Sequence, residues 1–171
     1  MSGTASFLSS DTGMILAVFA LVAGLTSGRE SLGVFGGWGA FRDAAPTHCF
    51  AIAVPARTGG RPGWRPFASI ARWPDRNRRD VLFVRLSAVR GTGTPVTLSV
   101  GERRFRLTGR GSDVWSPDAA TDRAVTTALR GERSMSVEAV SATRKPFADT
   151  YLLAGAASAM DASTIGCSVM K

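Results

Sequence analysis

The chain has 171 residues, 44% of them hydrophobic and 20% charged, which excludes whole-chain disorder and leaves room for one cored domain plus a short N-terminal appendage. The formal charge is +8 and its carriers are almost all arginine, with Lys145 and Lys171 the only lysines. A surface of that sign attracts anionic partners: nucleic acid, acidic lipid head groups or polyanionic glycans.

Residues 14–25 read MILAVFALVAGL, an uncharged apolar run that suits the h-region of a signal peptide and falls short of the roughly 20 residues of a membrane span. Small residues follow at Ala23, Gly24, Ser27 and Gly28, whereas residues 1–13 hold Asp11 and no Lys or Arg, so the positive n-region is missing. The expectation is a signal peptide or N-terminal apolar anchor over residues 1–28, with a buried core helix as the alternative. The glycines between Gly33 and Gly39 then make residues 29–37 a linker into a single domain spanning 38–171.

From Trp38 onward the pattern is one of short strands separated by turn residues. Residues 38–42 and 48–54 alternate and are joined by the turn-forming DAAPT segment. Residues 67–73 (FASIARW) and 80–88 (DVLFVRLSA) are rich in β-branched and aromatic side chains and flank the polar turn PDRNRR. Residues 95–100 and 104–108 alternate on either side of Gly101-Glu102-Arg103, a short hairpin loop. A helix is expected over 117–129, with Ser116 as N-cap, Pro117 at the first helical position, Asp118 in the first turn and Gly131 past its end. Its stripe of Ala124, Val125, Ala128 and Leu129 would pack on a sheet. Residues 134–142 alternate again around Met135, Val137 and Ala139, and 149–153 supply a further strand. Residues 155–165 make a helix of small residues that delivers Cys167. The sum is a mainly β domain: an antiparallel β-sandwich of about seven or eight strands with one or two short helices packed on it.

The two cysteines, Cys49 and Cys167, bracket almost all of that domain. A bond between them would close a loop of roughly 120 residues, worth on the order of 4 to 5 kcal/mol by chain entropy and about 2 to 4 kcal/mol in typical cases. It requires an oxidising compartment; the alternative is two unrelated buried thiols. One histidine, two distant cysteines and no carboxylate cluster at ligand spacing do not make a metal site. His48 adjoins Cys49, but neighbours on a strand point to opposite faces, which separates the imidazole from the sulfur. No G-x-S-x-G elbow, P-loop or complete dinucleotide fingerprint occurs, and Gly91-Thr92-Gly93 and Gly109-Arg110-Gly111 read as turns. No catalytic residue, metal or cofactor is assigned.

The densest basic segment runs over residues 57–79, where seven arginines alternate with Trp64, Phe67 and Trp73. Aromatic rings interleaved with guanidinium groups can stack on sugars or bases while the cations hold phosphates. Trp64, Arg65, Trp73, Arg76, Arg78 and Arg79 are the candidate anion- or partner-binding residues. The competing reading is a long hairpin with its aromatics in the core and its arginines solvated. A second patch comprises Arg103, Arg104, Arg106 and Arg110; were both on one face, an anionic polymer or lipid would suit them better than a small substrate.

The C-terminal succession GERRFRLTGRGSDVWSPDAATDRAVTTALRGERSMSVEAVSA, followed by DTYLLAGAASAMDASTIGCS, resembles the invasion-associated locus B family of alphaproteobacterial envelope proteins. The matching positions include Trp115, Leu129, Gly131, Met135, Val137, Tyr151, Leu153, Gly155 and Cys167, with Trp38 and Cys49 where the family carries its N-terminal Trp and a cysteine. Some members carry a further cysteine near the first strand; this chain has none around Arg42, so one disulfide is the most it can form. The resemblance implies an exported, mainly β domain with no assigned chemistry. The resulting expectation is a periplasmic or secreted, non-enzymatic envelope protein that binds anionic lipid, glycan or an envelope protein through a basic face. The alternatives are an inner-membrane-anchored form, a small envelope-acting enzyme or inhibitor, and a cytoplasmic nucleic-acid-binding protein with reduced cysteines.

Overall fold

The computed structural model describes residues 28–60 and 63–168. Ten strands form one sheet: β1 (Arg29–Phe35), β2 (Trp38–Ala44), β3 (Thr47–Ala53), β4 (Phe67–Trp73), β5 (Arg78–Arg85), β6 (Val96–Val100), β7 (Arg103–Arg110), β8 (Asp113–Trp115), β9 (Ser134–Val140) and β10 (Pro146–Leu152). Helix α1 (Ala119–Leu129) follows β8 and α2 (Ala156–Ser168) follows β10. The spatial order is β1-β2-β3-β4-β5-β8-β7-β6-β9-β10, and each neighbouring pair is antiparallel. The fold is therefore mainly β and antiparallel, as expected, with ten strands instead of seven or eight.

The two additional strands are β1 and β8. Residues 29–37, expected as a linker, instead form β1 and a tight hairpin turn at Gly36-Gly37, with Phe35 opposite Trp38. The glycines that suggested flexibility serve the hairpin: Gly36 takes φ 56, and the register slips between Ser31 and Gly33. The apolar run at residues 14–25 lies outside the described residues. Among the described residues no helix is long and apolar enough to cross a membrane.

One strand serves both halves of the sheet. β7 pairs with β6 through Arg103–Leu107 and with β8 through Thr108–Arg110. Gly109, at φ 151, sits in the second part, where a Cβ would run into the backbone of Asp113 and Val114. The Arg90 guanidinium donates to the carbonyls of Thr94 (2.8 Å) and Gly109, holding this segment against the loop before β6. One apolar cluster then takes side chains from both halves, including Ala40, Ile70 and Leu82 from one and Leu98, Val137 and Tyr151 from the other. The arrangement is compatible with a β-sandwich.

Side chains secure the joints. The Trp38 indole donates to the Leu152 carbonyl at 2.9 Å, tying β2 to β10. The outer edge of β10 is met by the β3–β4 connection, with Ala56 N–H donating to the Thr150 carbonyl and Thr150 N–H to the Arg57 carbonyl. Fully buried Asp149 accepts from the Gly59 and Ser87 amides at 3.1 and 2.7 Å and from the Ser87 hydroxyl, so one carboxylate organises two loops.

Helix α1 begins two residues later than expected. Asp118, rather than Ser116, is the N-cap and accepts from Thr121 N–H at 2.7 Å, which holds its carboxyl below the usual range. Val125, Ala128 and Leu129 are buried as the periodicity requires. Asp122, also buried, accepts from Leu82 N–H at 2.9 Å just beyond the point where β8 stops pairing with β5, and burial pushes this carboxyl up. Helix α2 lays Ala156, Ala159 and Met160 into the core, and its far end is joined to β3 by the Cys49–Cys167 disulfide across 118 residues.

Two stability measurements probe this frame. The Cys49→Ala/Cys167→Ala variant should lose about 2 to 4 kcal/mol in urea unfolding, reflecting the long loop released in the unfolded chain; an unchanged midpoint would mean that packing alone holds α2. Gly109→Ala should cost more than about 1 kcal/mol, because the backbone conformation and the Asp113 carbonyl both oppose a side chain there. A near-neutral result would show that β7 can pass between the two halves by another path.

Candidate functional site: an aromatic trough and an arginine cleft

An antiparallel sheet with one solvated face should alternate apolar and polar side chains, yet β3, β4 and β5 are apolar on both. Ala51, Ile70 and Leu82 face the core. On the opposite face stand Phe50, Ile52, Ser69, Ala71, Val81 and Phe83, and among the described residues no helix residue lines the cavity above them. That cavity is an open trough of about 610 Å³.

Its walls are two aromatic ridges. In one, Phe50, His48 and Trp73 follow one another with centroid separations of 5.2 and 5.5 Å, Phe41 packs against Phe50 at 5.7 Å without lining the cavity, and the Arg29 guanidinium lies 5.1 Å over Phe50. In the other, Phe67 and Phe83 are 5.7 Å apart, Arg85 lies 5.5 Å over Phe67, and Trp115 stands opposite Phe83 on β8. Small side chains at Ser69 and Ala71 leave the floor low between them. Apolar area of this kind, left open to water, is characteristic of interaction sites.

Two of the rim cations are already matched. Arg29 makes a two-pronged pair with Asp43, both contacts 2.8 Å, and Arg85 meets Asp113 at 3.0 Å. The Arg29 hydrogen bond holds the Asp43 carboxyl below its usual range and raises the guanidinium in turn. The His48 ring lies between Phe50 and Trp73, with Nε2 3.6 Å from Asp43, and so forms part of a wall. Cys49, on the opposite face, is bonded to Cys167, which confirms the separation expected for adjacent strand residues.

At the turn between β4 and β5 the trough meets a second, polar cleft of about 530 Å³. Trp73 and Arg78 border both; Arg72, Arg79, Thr164 and Ser168 complete the cleft beside Cys167. Trp73 and Arg78 face each other across the hairpin, beyond a register shift that lets the chain turn through Pro74–Arg76. Arg72 is bonded to Asp80 at 2.6 Å, whereas exposed Arg78 and Arg79 have no ion-pair partner among the described residues.

The six sequence candidates therefore divide. Trp73, Arg78 and Arg79 line the cleft and Arg76 lies on the exposed turn beside it. Trp64 and exposed Arg65 belong to the β3–β4 connection, where the Trp64 indole donates to the Leu86 carbonyl at 2.9 Å, and neither lines trough or cleft. Arg104 and Arg106 lie on the β6–β7 half of the sheet, across the bend, and are not brought to this site. Sequence reasoning missed the trough: Phe50, Phe67, Phe83 and Trp115 read as ordinary strand residues. The signal for it was the absence of alternation in β3 to β5.

Comparison with protein-family models, with curated proteins and with solved structures finds no match.

The Arg29–Asp43 pair makes a pH prediction. Because Asp43 is held below its ordinary value in the fold, the unfolded chain takes up the proton first. The pair's contribution is present above the usual carboxylate pKa of about 4 and drains away as pH falls through the lowered value. Asp43→Asn should reduce stability at neutral pH and flatten this part of the acid limb in chemical denaturation. Parallel acid limbs for variant and parent would remove the pair from the account.

Proposed function

We propose that this protein is an exported, non-enzymatic envelope protein of the invasion-associated locus B type, binding an anionic envelope component or a protein partner through the basic end of the β4–β5 hairpin. The observation that carries this is the convergence of Arg72, Arg78 and Arg79 on one cleft beside an aromatic trough that none of the other described residues covers. Guanidinium groups offer planar forks of donors to phosphate or carboxylate oxygens, and the unpaired ones meet a ligand without first giving up a partner. The long-range disulfide favours an oxidising compartment. There, lipid, glycan and envelope proteins are the available partners, and nucleic acid is not expected. The resemblance agrees in placing Cys49 near the start and Cys167 at the end of one β domain.

The test has two arms. Intact mass of the native protein from cell fractions, with and without reductant before alkylation, should show an envelope-fraction species that lacks a leader and takes up two alkyl groups only after reduction. A full-length cytosolic chain with free thiols would overturn export. On anionic vesicles, Arg76→Glu/Arg78→Glu/Arg79→Glu should lose retention and flatten its salt dependence; unchanged retention would take the cleft out of the function.

A further inference from the structure

We infer that the ligand of this face is a single-chain anionic lipid, its acyl chain lying in the aromatic trough and its phosphate head group in the arginine cleft. The inference deepens the binding role proposed above and rests on it. Trough and cleft adjoin at the end of the β4–β5 hairpin, the trough on the outer face and the cleft on the α2 side: Trp73 and Arg78 border both, so a molecule leaving the apolar floor at Ala71 rounds the hairpin end beside them to reach Arg79. The trough, at about 610 Å³, lies within the roughly 300 to 1,000 Å³ of small-molecule sites.

Charge sets the orientation. Arg29 and Arg85, along the trough, are neutralised by Asp43 and Asp113, leaving that part fit for a hydrocarbon. Among the described residues that border trough or cleft, the cations without an ion-pair partner, Arg78 and Arg79, stand at the hairpin end, and their guanidinium groups supply the donors there, since the Thr164 and Ser168 hydroxyls across the cleft already donate to the Met160 and Thr164 carbonyls. Several donors around one space suit the multiple oxygens of a phosphate monoester. A peptide strand is a poorer fit. The floor strands β3 and β4 are paired on both sides, and β5 is paired with β8 over Phe83–Arg85, so strand addition has no edge along most of the floor. Ser69 is the one polar side chain on the floor between the ridges, so peptide amides laid there would go largely unmatched.

The experiment titrates the full chain, stripped of co-purified lipid, with lysophosphatidic acids of increasing acyl length, each below its micelle threshold. Affinity should rise roughly fourfold per added methylene until the trough is filled, at one lipid per protein, and a monoacylglycerol of equal length should bind more weakly. Arg78→Glu should weaken every phosphate lipid on the order of tenfold while preserving the dependence on chain length. Ser69→Phe, which places a ring on the floor, should abolish that dependence. A brominated acyl chain should quench Trp73 and Trp115, which line the trough, and Trp115→Phe should lower the quenching; this arm decides the matter if Ser69→Phe does not fold. Affinity independent of chain length, equal binding of the neutral lipid, or a concentration-dependent dimer lost in Ser69→Phe would each overturn the proposal, the last by identifying a second copy as the occupant. Vesicle retention that depends on Arg76, Arg78 and Arg79 but shows no binding of monomeric lipid would sink this inference alone. Cytosolic location with intact lipid binding would sink only the export reading.

Discussion

The whole architecture turns on β7 pairing with two different strands along its length. Arg103–Leu107 belongs to the β6 side and Thr108–Arg110 to β8, and without that change of partner the ten strands could not gather their inner faces around one core. Gly109 makes it feasible, since no side chain could occupy the space against the Asp113 carbonyl. Arg90 and the Asp149 carboxylate secure the loops around it, converting a flexible position into a fixed one. The Asp149 oxygens and the two terminal nitrogens of Arg90 meet donors or acceptors of the backbone, which offsets their burial, while Arg90 Nε has no partner among the described residues.

The bend also explains why a trough exists. One face of β3, β4 and β5 is satisfied by the opposing half and by α2 and α1, while their other face keeps Phe67, Phe83 and Trp73 half-buried around the buried ring of Phe50. Those rings cover one another in two ridges, which lowers the cost of leaving them uncovered, and the arginines stacked on their rims shield them further. Small residues at Ser69 and Ala71 keep the ridges from closing into a continuous layer. A surface built in this way combines apolar contact with cation recognition at one end, and it needs no catalytic group to be useful.

Most of the strand pattern was legible in the chain. Eight strands and both helices stand close to where periodicity placed them, because alternation and turn residues are local properties. The exceptions have local causes as well. Glycines at 33, 36 and 37 disguised β1 as a linker, although a glycine pair is also what a tight hairpin needs. β8 has three residues, too few for a pattern to register. The N-cap moved from Ser116 to Asp118 because both residue types cap well, and the tertiary position of the β8–α1 junction chose between them.

For the site, the residue types were visible and their grouping was not. Composition and spacing by themselves determined a mainly β chain with two cysteines at its ends and a basic, aromatic stretch in its middle, since these follow from residue chemistry and short-range order. Only the tertiary structure decided that Trp73, Arg78 and Arg79 share a cleft while Trp64 and Arg65 stay apart from it. It also decided that aromatics from β3, β4, β5 and β8 form a single trough. The reason is that strand neighbours are set by the order of the sheet and its bend at β7, a long-range arrangement that no local pattern encodes.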